Sequence, residues 1–364
     1  GALDYLTSKY DECKCISIYS LNQDNYKSSV EVINNRYENV KNYPNPIYLD
    51  RSKGRLSVIK SYFIGFFHLI FQINHLFVEL VNDVETVYFN GGNLLRCNKP
   101  ADFIRLIALL RPLKIALRAN KKVVILPHST AEINIFGRFL LRPILNKVHV
   151  LYAREEMSYK KFKNFFPNCN IKLSTDLAFA IKNKNNKLKR QKVIAFTTRS
   201  QTMGDIGELG YKMKNKIMLT LESCVNFCLN TGYEVKLIVQ TKKDLRFTRD
   251  LYLKFSNIEK VSFYESYDVN ELIKIYSSCS LLIGMRLHSI ILAMSTGTPA
   301  IGYFKKEWGL KNPGLLSAYG QKYVFLDDAN NSLLEVLKSY DFEETESVSS
   351  KITETKKILL KKLK

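Results

Sequence analysis

The chain has 364 residues, more than one hydrophobic core usually holds, which predicts two domains. Hydrophobic residues make up 46% of it and charged residues 24%, proportions that are typical of soluble globular proteins and exclude a disordered or fibrous chain. The formal net charge of +21 predicts a partner with negative charge, such as a phosphorylated substrate, an anionic lipid or a nucleic acid.

The N-terminus begins at Gly1 without a Met, and residues 2–9 have the pattern of a helix, so we expect that a first strand is missing. Residues 1–10 lack the basic segment and the apolar core of a signal peptide, which favours a protein that stays in the cytoplasm. The seven cysteines are odd in number and lack CxxC spacing. The sequence therefore predicts neither disulfides nor a metal site, and it favours a reducing compartment.

After a strand at 13–19, short apolar runs alternate with segments of helical periodicity from residue 84 onward, which indicates βα units and parallel sheets. The predicted helices include 101–118, 214–230 and 289–295. The predicted strands are 86–89, 123–126, 148–152, 193–197, 234–239, 261–264, 281–283 and 300–303.

The composition breaks at residues 182–192, KNKNNKLKRQK, where Leu188 is the only apolar side chain. This break predicts a linker between an N-terminal domain at 1–181 and a C-terminal domain at 193–340, which a basic helix at 341–364 follows. A solvated loop within one domain is the alternative interpretation.

Two segments raise the question of a membrane. Residues 62–81, YFIGFFHLIFQINHLFVELV, are long and apolar, but the polar side chains within them disfavour a spanning helix. A buried helix of the first domain and an interfacial helix behind the basic residues of 51–60 both stay open.

The C-terminal tail at 349–364, SSKITETKKILLKKLK, is a second basic amphipathic segment. Ile352, Leu359 and Leu363 fall at spacings of seven and four among many lysines. Packing back on the first domain and binding to an anionic membrane explain this pattern equally well. Together, the two segments predict peripheral attachment at the inner face of the cytoplasmic membrane.

The strongest chemical signal lies at 281–306, LLIGMRLHSIILAMSTGTPAIGYFKK. A buried strand ends at Gly284, and Arg286 and His288 begin the next helix. At such a junction the helix N-terminus and an arginine can bind a phosphate or a carboxylate. His288 can exchange a proton near neutral pH, although a structural histidine that caps the turn is the alternative.

Further motifs precede this junction in a fixed order: FNGGNLL at 89–95, LPHST at 126–130, YAREEMS at 152–158, TDLAFAI at 175–181 and TTRS at 197–200. Together with R-L-H at 286–288, the G-T-P turn at 297–299 and the two lysines that follow, they resemble the polysaccharide pyruvyltransferase family. In that family TDLAFAI corresponds to a strand.

The chain also departs from the family pattern. Asn90 stands at the first position of the usual GGG turn, and Glu155 replaces an aspartate. The N-x-G-D pattern after the family's first strand is absent, and the stretch from Pro299 to the lysines is shorter. These departures bear mainly on the acceptor side of the expected site.

The resemblance implies an α/β fold with two Rossmann-like domains on parallel sheets, which face each other across a cleft as in glycosyltransferase-B enzymes. It implies transfer of pyruvate from phosphoenolpyruvate, without a metal or further cofactor, to a sugar of a surface polysaccharide or its lipid-linked precursor. His288 would be the general acid. The resemblance assigns donor binding to Arg286, Arg154, Arg199, Lys305 and Lys306, and acceptor binding to Asn90, Gly91, Gly92, Asn93 and His128.

Several of these residues also have a purely structural interpretation. Arg154 and Arg199 could each serve a salt bridge, one of the two lysines could face solvent, and residues 91–93 could form an ordinary tight turn.

Two other functions compete. A nucleotide-sugar glycosyltransferase could use the same fold. Such an enzyme would need an acidic residue for ribose or base recognition, and Glu307 is the only clear candidate after Lys306. A nucleic-acid or membrane-binding module would suit the charge, but the sequence shows no RRM, KH, helix-turn-helix or zinc-finger pattern. We therefore predict an enzyme that binds no nucleic acid.

Overall fold

The computed structural model describes residues 2–16, 23–43, 56, 59–60, 63–64, 67, 73–130, 132–181, 190–200, 208–308, 311–326, 328, 332–343 and 345–363. The chain divides into two compact units, Gly1–Leu177 and Ala178–Lys364. The division falls a few residues before the expected linker, of which residues 182–189 lie outside the described ranges.

The first unit contains only parallel strand pairs among its described residues. Strands β1 (Cys13–Ile16) and β2 (Val40–Tyr43) form one pair, and a separate sheet has four strands in chain order. These four strands are β3 (Thr86–Phe89), β4 (Lys122–His128), β5 (Val150–Ala153) and β6 (Ile171–Leu173). The helices are α1 (Ala2–Thr7), α2 (Gln23–Arg36), α3 (Ile73–Asn82), α4 (Pro100–Arg118), α5 (Ile135–Leu145) and α6 (Glu156–Phe165).

The second unit is built on one six-stranded parallel sheet. Its strands are β7 (Val193–Thr197), β8 (Glu234–Val239), β9 (Val261–Glu265), β10 (Leu281–Gly284), β11 (Ala300–Phe304) and β12 (Tyr323–Phe325). They lie in the order β12-β11-β10-β7-β8-β9. The helices are α7 (Glu208–Asn230), α8 (Leu245–Leu253), α9 (Val269–Ser277), α10 (Leu287–Ser295), α11 (Lys311–Ala318), α12 (Leu333–Lys338) and α13 (Thr345–Lys361).

This order is that of the doubly wound dinucleotide-binding fold, because the chain starts in the middle of the sheet and reverses direction once. Every residue of β7, β10 and β11 is buried, which explains why these strands appear in the sequence as uninterrupted apolar runs. The predicted fold class, α/β with Rossmann-like units on parallel sheets, is confirmed.

Most of the predicted helices and strands occur within one or two residues of the expected bounds. The segment TDLAFAI is an exception, because Leu177–Ala180 forms a 3-10 helix and not a strand. Of the strand expected at 13–19, only Cys13–Ile16 lies in the described part of the chain.

The two segments considered for membrane contact can now be placed. In α3, Phe77 and Val81 are buried, while most of residues 51–72 lies outside the described ranges. In α13, Ile352 is buried, and the Lys356 Nζ donates a 3.0 Å hydrogen bond to the Ser295 carbonyl of α10. The tail therefore packs on the second unit, not on the first as one interpretation held. Within the described ranges, no helix is both long and apolar enough to cross a membrane.

Candidate functional site

The carboxyl ends of β7 and β10 lie side by side in the second unit, at the point where the strand order reverses. In open α/β sheets, ligands bind at this position because the loops from the two strands diverge there. Arg199 follows β7, and Arg286 follows β10 as the residue that begins α10. The fold thus brings together two of the arginines predicted to bind the donor.

The Arg286 side chain is fixed by a carboxylate that the sequence analysis did not single out. Its Nη2 donates a 2.7 Å hydrogen bond to Asp244 Oδ1, and its Nε donates to Asp244 Oδ2. Asp244 lies in the turn after β8 and is only 2% exposed. It also accepts hydrogen bonds from the Ser200 amide and hydroxyl and from the Thr241 hydroxyl. A bidentate pair of this kind orients the guanidinium firmly.

Arg199 is held by an aromatic ring. Its guanidinium lies 4.0 Å from the centroid of the Trp308 ring, a cation–π contact. Burial lowers the pKa of Arg199, and the nearby Arg286 lowers it further, whereas Asp244 opposes this shift. Two guanidinium groups thus lie near each other at this edge of the sheet, and their mutual repulsion favours an anion beside them.

His288 is the second residue of α10, and its side chain is exposed. The start of this helix is tied to the end of β7, because the Ser289 hydroxyl donates to the Arg286 carbonyl at 2.7 Å and lies 2.7 Å from the Thr197 hydroxyl. The first amides of α10 have no acceptors within the helix itself and present a positive dipole end. An imidazole and a helix N-terminus thus stand beside the arginine.

The two lysines after β11 differ in their surroundings. Lys305 is only 6% exposed, and its Nζ lies 3.1 Å from Glu307 Oε2. Lys306 lies over the Phe325 ring, with Nζ 5.7 Å from the ring centroid. The assignment of either lysine to the donor stays a prediction.

The predicted acceptor residues meet at the carboxyl edge of the sheet in the first unit. The loop after β3 bonds directly to the end of β4, because the Gly92 amide donates to the Pro127 carbonyl at 3.1 Å and the Ser129 amide donates to the Gly92 carbonyl at 2.8 Å. Gly91 is required here, since a Cβ atom would lie 2.5 Å from the Pro127 oxygen. Gly92 has a φ of +127°, which side chains rarely tolerate. The Asn93 Oδ1 is buried without a hydrogen-bond donor among the described residues.

His128 is fully buried beneath this loop. Its ring stacks on Phe89 at a centroid distance of 5.6 Å, and Nδ1 lies 2.7 Å from the Leu126 carbonyl, so Nδ1 carries the proton. Burial lowers the pKa of His128 to about 4, with a smaller contribution from Arg154 in the same direction. A neutral, buried ring supports the loop, and its assignment to acceptor binding stays a prediction.

Arg154 follows β5 and pairs within its own unit. Its Nε lies 3.1 Å from Asp176 Oδ2, an ion pair without the alignment of a hydrogen bond, and both side chains are nearly buried. Beside it, the carboxylate of Glu155 accepts hydrogen bonds from the Ser129 and Ser158 hydroxyls. Donor binding by Arg154 stays a prediction, because the carboxylate of Asp176 already faces its guanidinium.

Apart from Lys305 and Lys306, which follow β11, the predicted residues form two groups. Arg199, Arg286 and His288 lie at the switch point of the second unit; Asn90, Gly91, Gly92, Asn93, His128 and Arg154 lie at the strand ends of the first. Asp244, Trp308 and Asp176 were not assigned roles from the sequence. Asp244 could have been found as a lone acidic residue just beyond β8, at the edge where ligands bind. No group of three or more potential metal ligands is present in the described ranges.

Solved structures similar to this chain share its fold at low identity. A glycosyltransferase from Rickettsia africae ESF-5 is 13% identical, with a TM-score of 0.57, over 99% of this chain and 90% of that one. UGT2 from Phytolacca americana, in its apo form, is 10% identical, with a TM-score of 0.54, over 97% of this chain and 90% of that one. The UDP-GlcNAc 2-epimerase from Neisseria meningitidis, bound to UDP-GlcNAc, is 11% identical, with a TM-score of 0.52, over 97% and 99%.

No curated protein matches the chain in a sequence search. The family described as polysaccharide pyruvyl transferase matches residues 17–303, a span that includes both arginines of the switch point, His288 and the whole glycine loop. The resemblance carried by the sequence motifs is therefore confirmed, and the chain belongs to the polysaccharide pyruvyl transferase family.

Proposed function

We propose that the protein transfers pyruvate from phosphoenolpyruvate to a sugar of a surface polysaccharide, or of its lipid-linked precursor, and forms a cyclic ketal. The observation that carries this proposal is the exposed imidazole of His288 at the start of α10, beside an arginine that Asp244 holds in place. This arrangement combines a group that can donate a proton with a site that can bind an anion. Transfer of pyruvate from phosphoenolpyruvate requires both.

The charge balance of the second unit suits this donor. Phosphoenolpyruvate carries a phosphate and a carboxylate, close to three negative charges. Arg199 and Arg286 lie close enough for each guanidinium to disfavour the charge of the other, and the N-terminus of α10 adds backbone amides and a favourable dipole. We expect the phosphate to lie against these groups, with the methylene carbon toward His288.

The reaction then has two stages. His288 donates a proton to the methylene carbon, which becomes a methyl group, and a cationic centre develops at the neighbouring carbon. A sugar hydroxyl attacks that carbon and loses its proton to the imidazole. A second hydroxyl then displaces inorganic phosphate, which leaves with the proton of that hydroxyl. In total, two C–O bonds and one C–H bond form at the pyruvyl group, while one C–O bond and the π bond of C=C are lost. Arg199 and Arg286 stabilise the departing phosphate.

The sugar acceptor would bind at the loop of Asn90–Asn93. Hydrogen bonds to the end of β4 fix the backbone of this loop, and its amide side chains can form hydrogen bonds with sugar hydroxyl groups. A lipid-linked acceptor would be consistent with attachment of the protein to the inner face of the cytoplasmic membrane, as a peripheral protein.

The proposal is tested by incubation with phosphoenolpyruvate and a panel of lipid-linked and nitrophenyl sugars. Release of phosphate and a matching mass gain of the sugar are expected, and phosphoenolpyruvate should raise the melting temperature. Stabilisation by UDP or GDP sugars, with transfer of the sugar and no response to phosphoenolpyruvate, would instead identify a nucleotide-sugar glycosyltransferase.

A further inference from the structure

The N-terminal turns of α5 expose three large apolar side chains. Ile135 is 74% exposed, Phe136 is 66% exposed and Phe139 is 81% exposed. Single exposed apolar residues are common, but two phenylalanines and an isoleucine within five positions of one helix are not explained by the core of the unit. The same helix buries Leu141, Ile144 and Leu145 on its other side. Its exposed apolar residues are therefore additional to those that hold it in place.

The neighbouring helix α4 repeats this arrangement. The strands β3 to β6 are adjacent in chain order and parallel, so right-handed crossovers place α4, α5 and α6 on one face of the sheet. Helices α4 and α5 pack against each other, and Arg138 of α5 lies over the Phe165 ring of α6. On the outer side of α4, Ile104 and Ile107 are 43% and 37% exposed.

Apolar and basic residues are separated along both helices. The exposed apolar residues lie in the N-terminal halves, and the exposed basic residues follow them: Lys114 and Arg118 in α4, and Arg142 in α5 with Lys147 just beyond it. Basic residues number four in α4 and two in α5, whereas the only acidic residue of either helix is Asp102, which pairs with Arg96 and Arg105. The outer face of α4 and α5 is therefore apolar at one end and cationic at the other.

We propose that the outer face of α4 and α5 docks the protein on an anionic lipid bilayer. Phe136, Phe139 and Ile135 would enter the boundary between headgroups and acyl chains, and the basic residues would lie at the level of the lipid phosphates. A second copy of the chain fits this face less well, because the pairing of two such faces would bring like charges together. A nucleic acid would match the charge but would leave the apolar end without a partner.

The position of the face explains how docking would serve the reaction. Crossover helices run opposite to their strands, so the N-terminus of α5 lies at the carboxyl edge of the sheet, where the Asn90–Asn93 loop also lies. The two are linked through backbone hydrogen bonds, from the Cys97 amide to the Glu132 carbonyl and from the Asn134 amide to the Cys97 carbonyl. A sugar on a lipid carrier would thus approach the proposed acceptor loop from the membrane side. This role rests on the proposed function, whereas docking itself does not.

Vesicle flotation of the full chain tests the proposal. Wild type is expected to float with vesicles of equal parts phosphatidylcholine and phosphatidylglycerol, and to float less with phosphatidylcholine alone or at high salt. The double variant Phe136→Ser/Phe139→Ser should lower the bound fraction about tenfold, and Arg142→Glu should lower it several-fold. The matched control Leu219→Ser/Leu253→Ser removes residues of the second unit that are 63% and 62% exposed, and it should float like wild type.

Unchanged flotation of the double variant, or equal flotation with neutral and anionic vesicles, would overturn the proposal. A wild-type dimer in light scattering that becomes a monomer in the double variant, with no difference in flotation, would assign the face to self-association instead. Thermal stabilisation by phosphoenolpyruvate is measured on the same variants. This stabilisation should be the same in the variants as in wild type. If phosphoenolpyruvate does not stabilise wild type, the proposed function is contradicted, whereas the flotation result still stands.

Discussion

Among single residues, Arg286, Asp244 and Arg199 are the centre of the candidate site in the second unit. The carboxylate of Asp244 is buried and accepts hydrogen bonds from Arg286, Ser200 and Thr241. It therefore connects the loops that follow β7, β8 and β10. Truncation of Arg286 would remove the bidentate partner of this buried carboxylate and leave it with the Ser200 and Thr241 donors. The residue that binds the donor in our proposal therefore also stabilises the edge of the sheet.

His288 and Arg286 are expected to differ in the kinetic parameter that they control. His288→Gln should lower kcat by about 10²–10⁴-fold with little change in KM for phosphoenolpyruvate, because a proton donor acts in the transition state. Arg286→Lys keeps the charge but loses the bidentate geometry, and it should mainly raise KM for the donor. His149→Gln, at an exposed histidine of the first unit, serves as the control. Normal kcat in a folded His288→Gln protein would remove His288 from the mechanism.

The buried His128 predicts a specific dependence of stability on pH. In the unfolded chain His128 binds its proton near pH 6.5, whereas in the folded protein burial lowers this pKa to about 4. Between these values the unfolded state binds more protons, so the free energy of unfolding falls as the pH falls, by about 1.4 kcal/mol per pH unit.

This dependence is measured by denaturant unfolding at several pH values for wild type and for His128→Gln. The variant should be less stable at pH 7, because it loses the stacking on Phe89, but its stability should fall less steeply between pH 6.5 and 4. Parallel pH curves for the two proteins would show that His128 titrates normally in the folded state.

Among the helices and strands, α13 shows that packing within the second unit accounts for the apolar positions of its amphipathic pattern. Its apolar residue Ile352 is buried, and the Ser349 hydroxyl accepts a 2.9 Å hydrogen bond from Arg190, which lies within the expected linker. Arg190 also donates to the Thr298 hydroxyl at 3.0 Å, beside the turn that ends α10. The helix is thus part of the second unit. One of its lysines, Lys356, is engaged within that unit, so only the exposed lysines could contact a membrane.

Two isoleucines of α13 provide a matched test of this packing. Ile352→Ala, at a position with no exposure, should lower the free energy of unfolding by about 2–5 kcal/mol. Ile358→Ala, at a position that is 52% exposed on the same helix, should change it by less than about 0.5 kcal/mol. Denaturant unfolding measures both, and equal effects would contradict the packing of α13 on α10.

The sequence predicts the buried parallel strands and their crossover helices well, because their apolar runs and turns are local signals. It misses β2, β6 and β12, which have three or four residues each and lie at the edges of their sheets, where burial imposes less of a pattern. In the candidate site, the motifs locate Arg286 and His288. They do not reveal Asp244 or Trp308, because those residues become neighbours of the arginines only when the strand order folds them to one edge.

For the whole molecule, the net charge of +21 has several uses, and they respond differently to salt. Arg199 and Arg286 act at close range within a partly buried site, so donor binding should depend modestly on ionic strength. The exposed basic residues of α4 and α5 act across solvent, and their attraction to a bilayer should be screened. In our proposal, the arginines of the switch point bind the donor, and the outer face of α4 and α5 brings the protein to a lipid-linked acceptor.

In the proposed reaction, His288 protonates the methylene carbon of phosphoenolpyruvate during ketal formation. Reaction in deuterated water, followed by NMR and mass analysis of the sugar product, tests it most directly. We expect one deuterium in the methyl group of each ketal, and we expect His288→Gln to form labelled product at a rate lowered by about 10²–10⁴-fold. A ketal methyl group without deuterium, or a labelled ketal formed at the wild-type rate by His288→Gln, would contradict it.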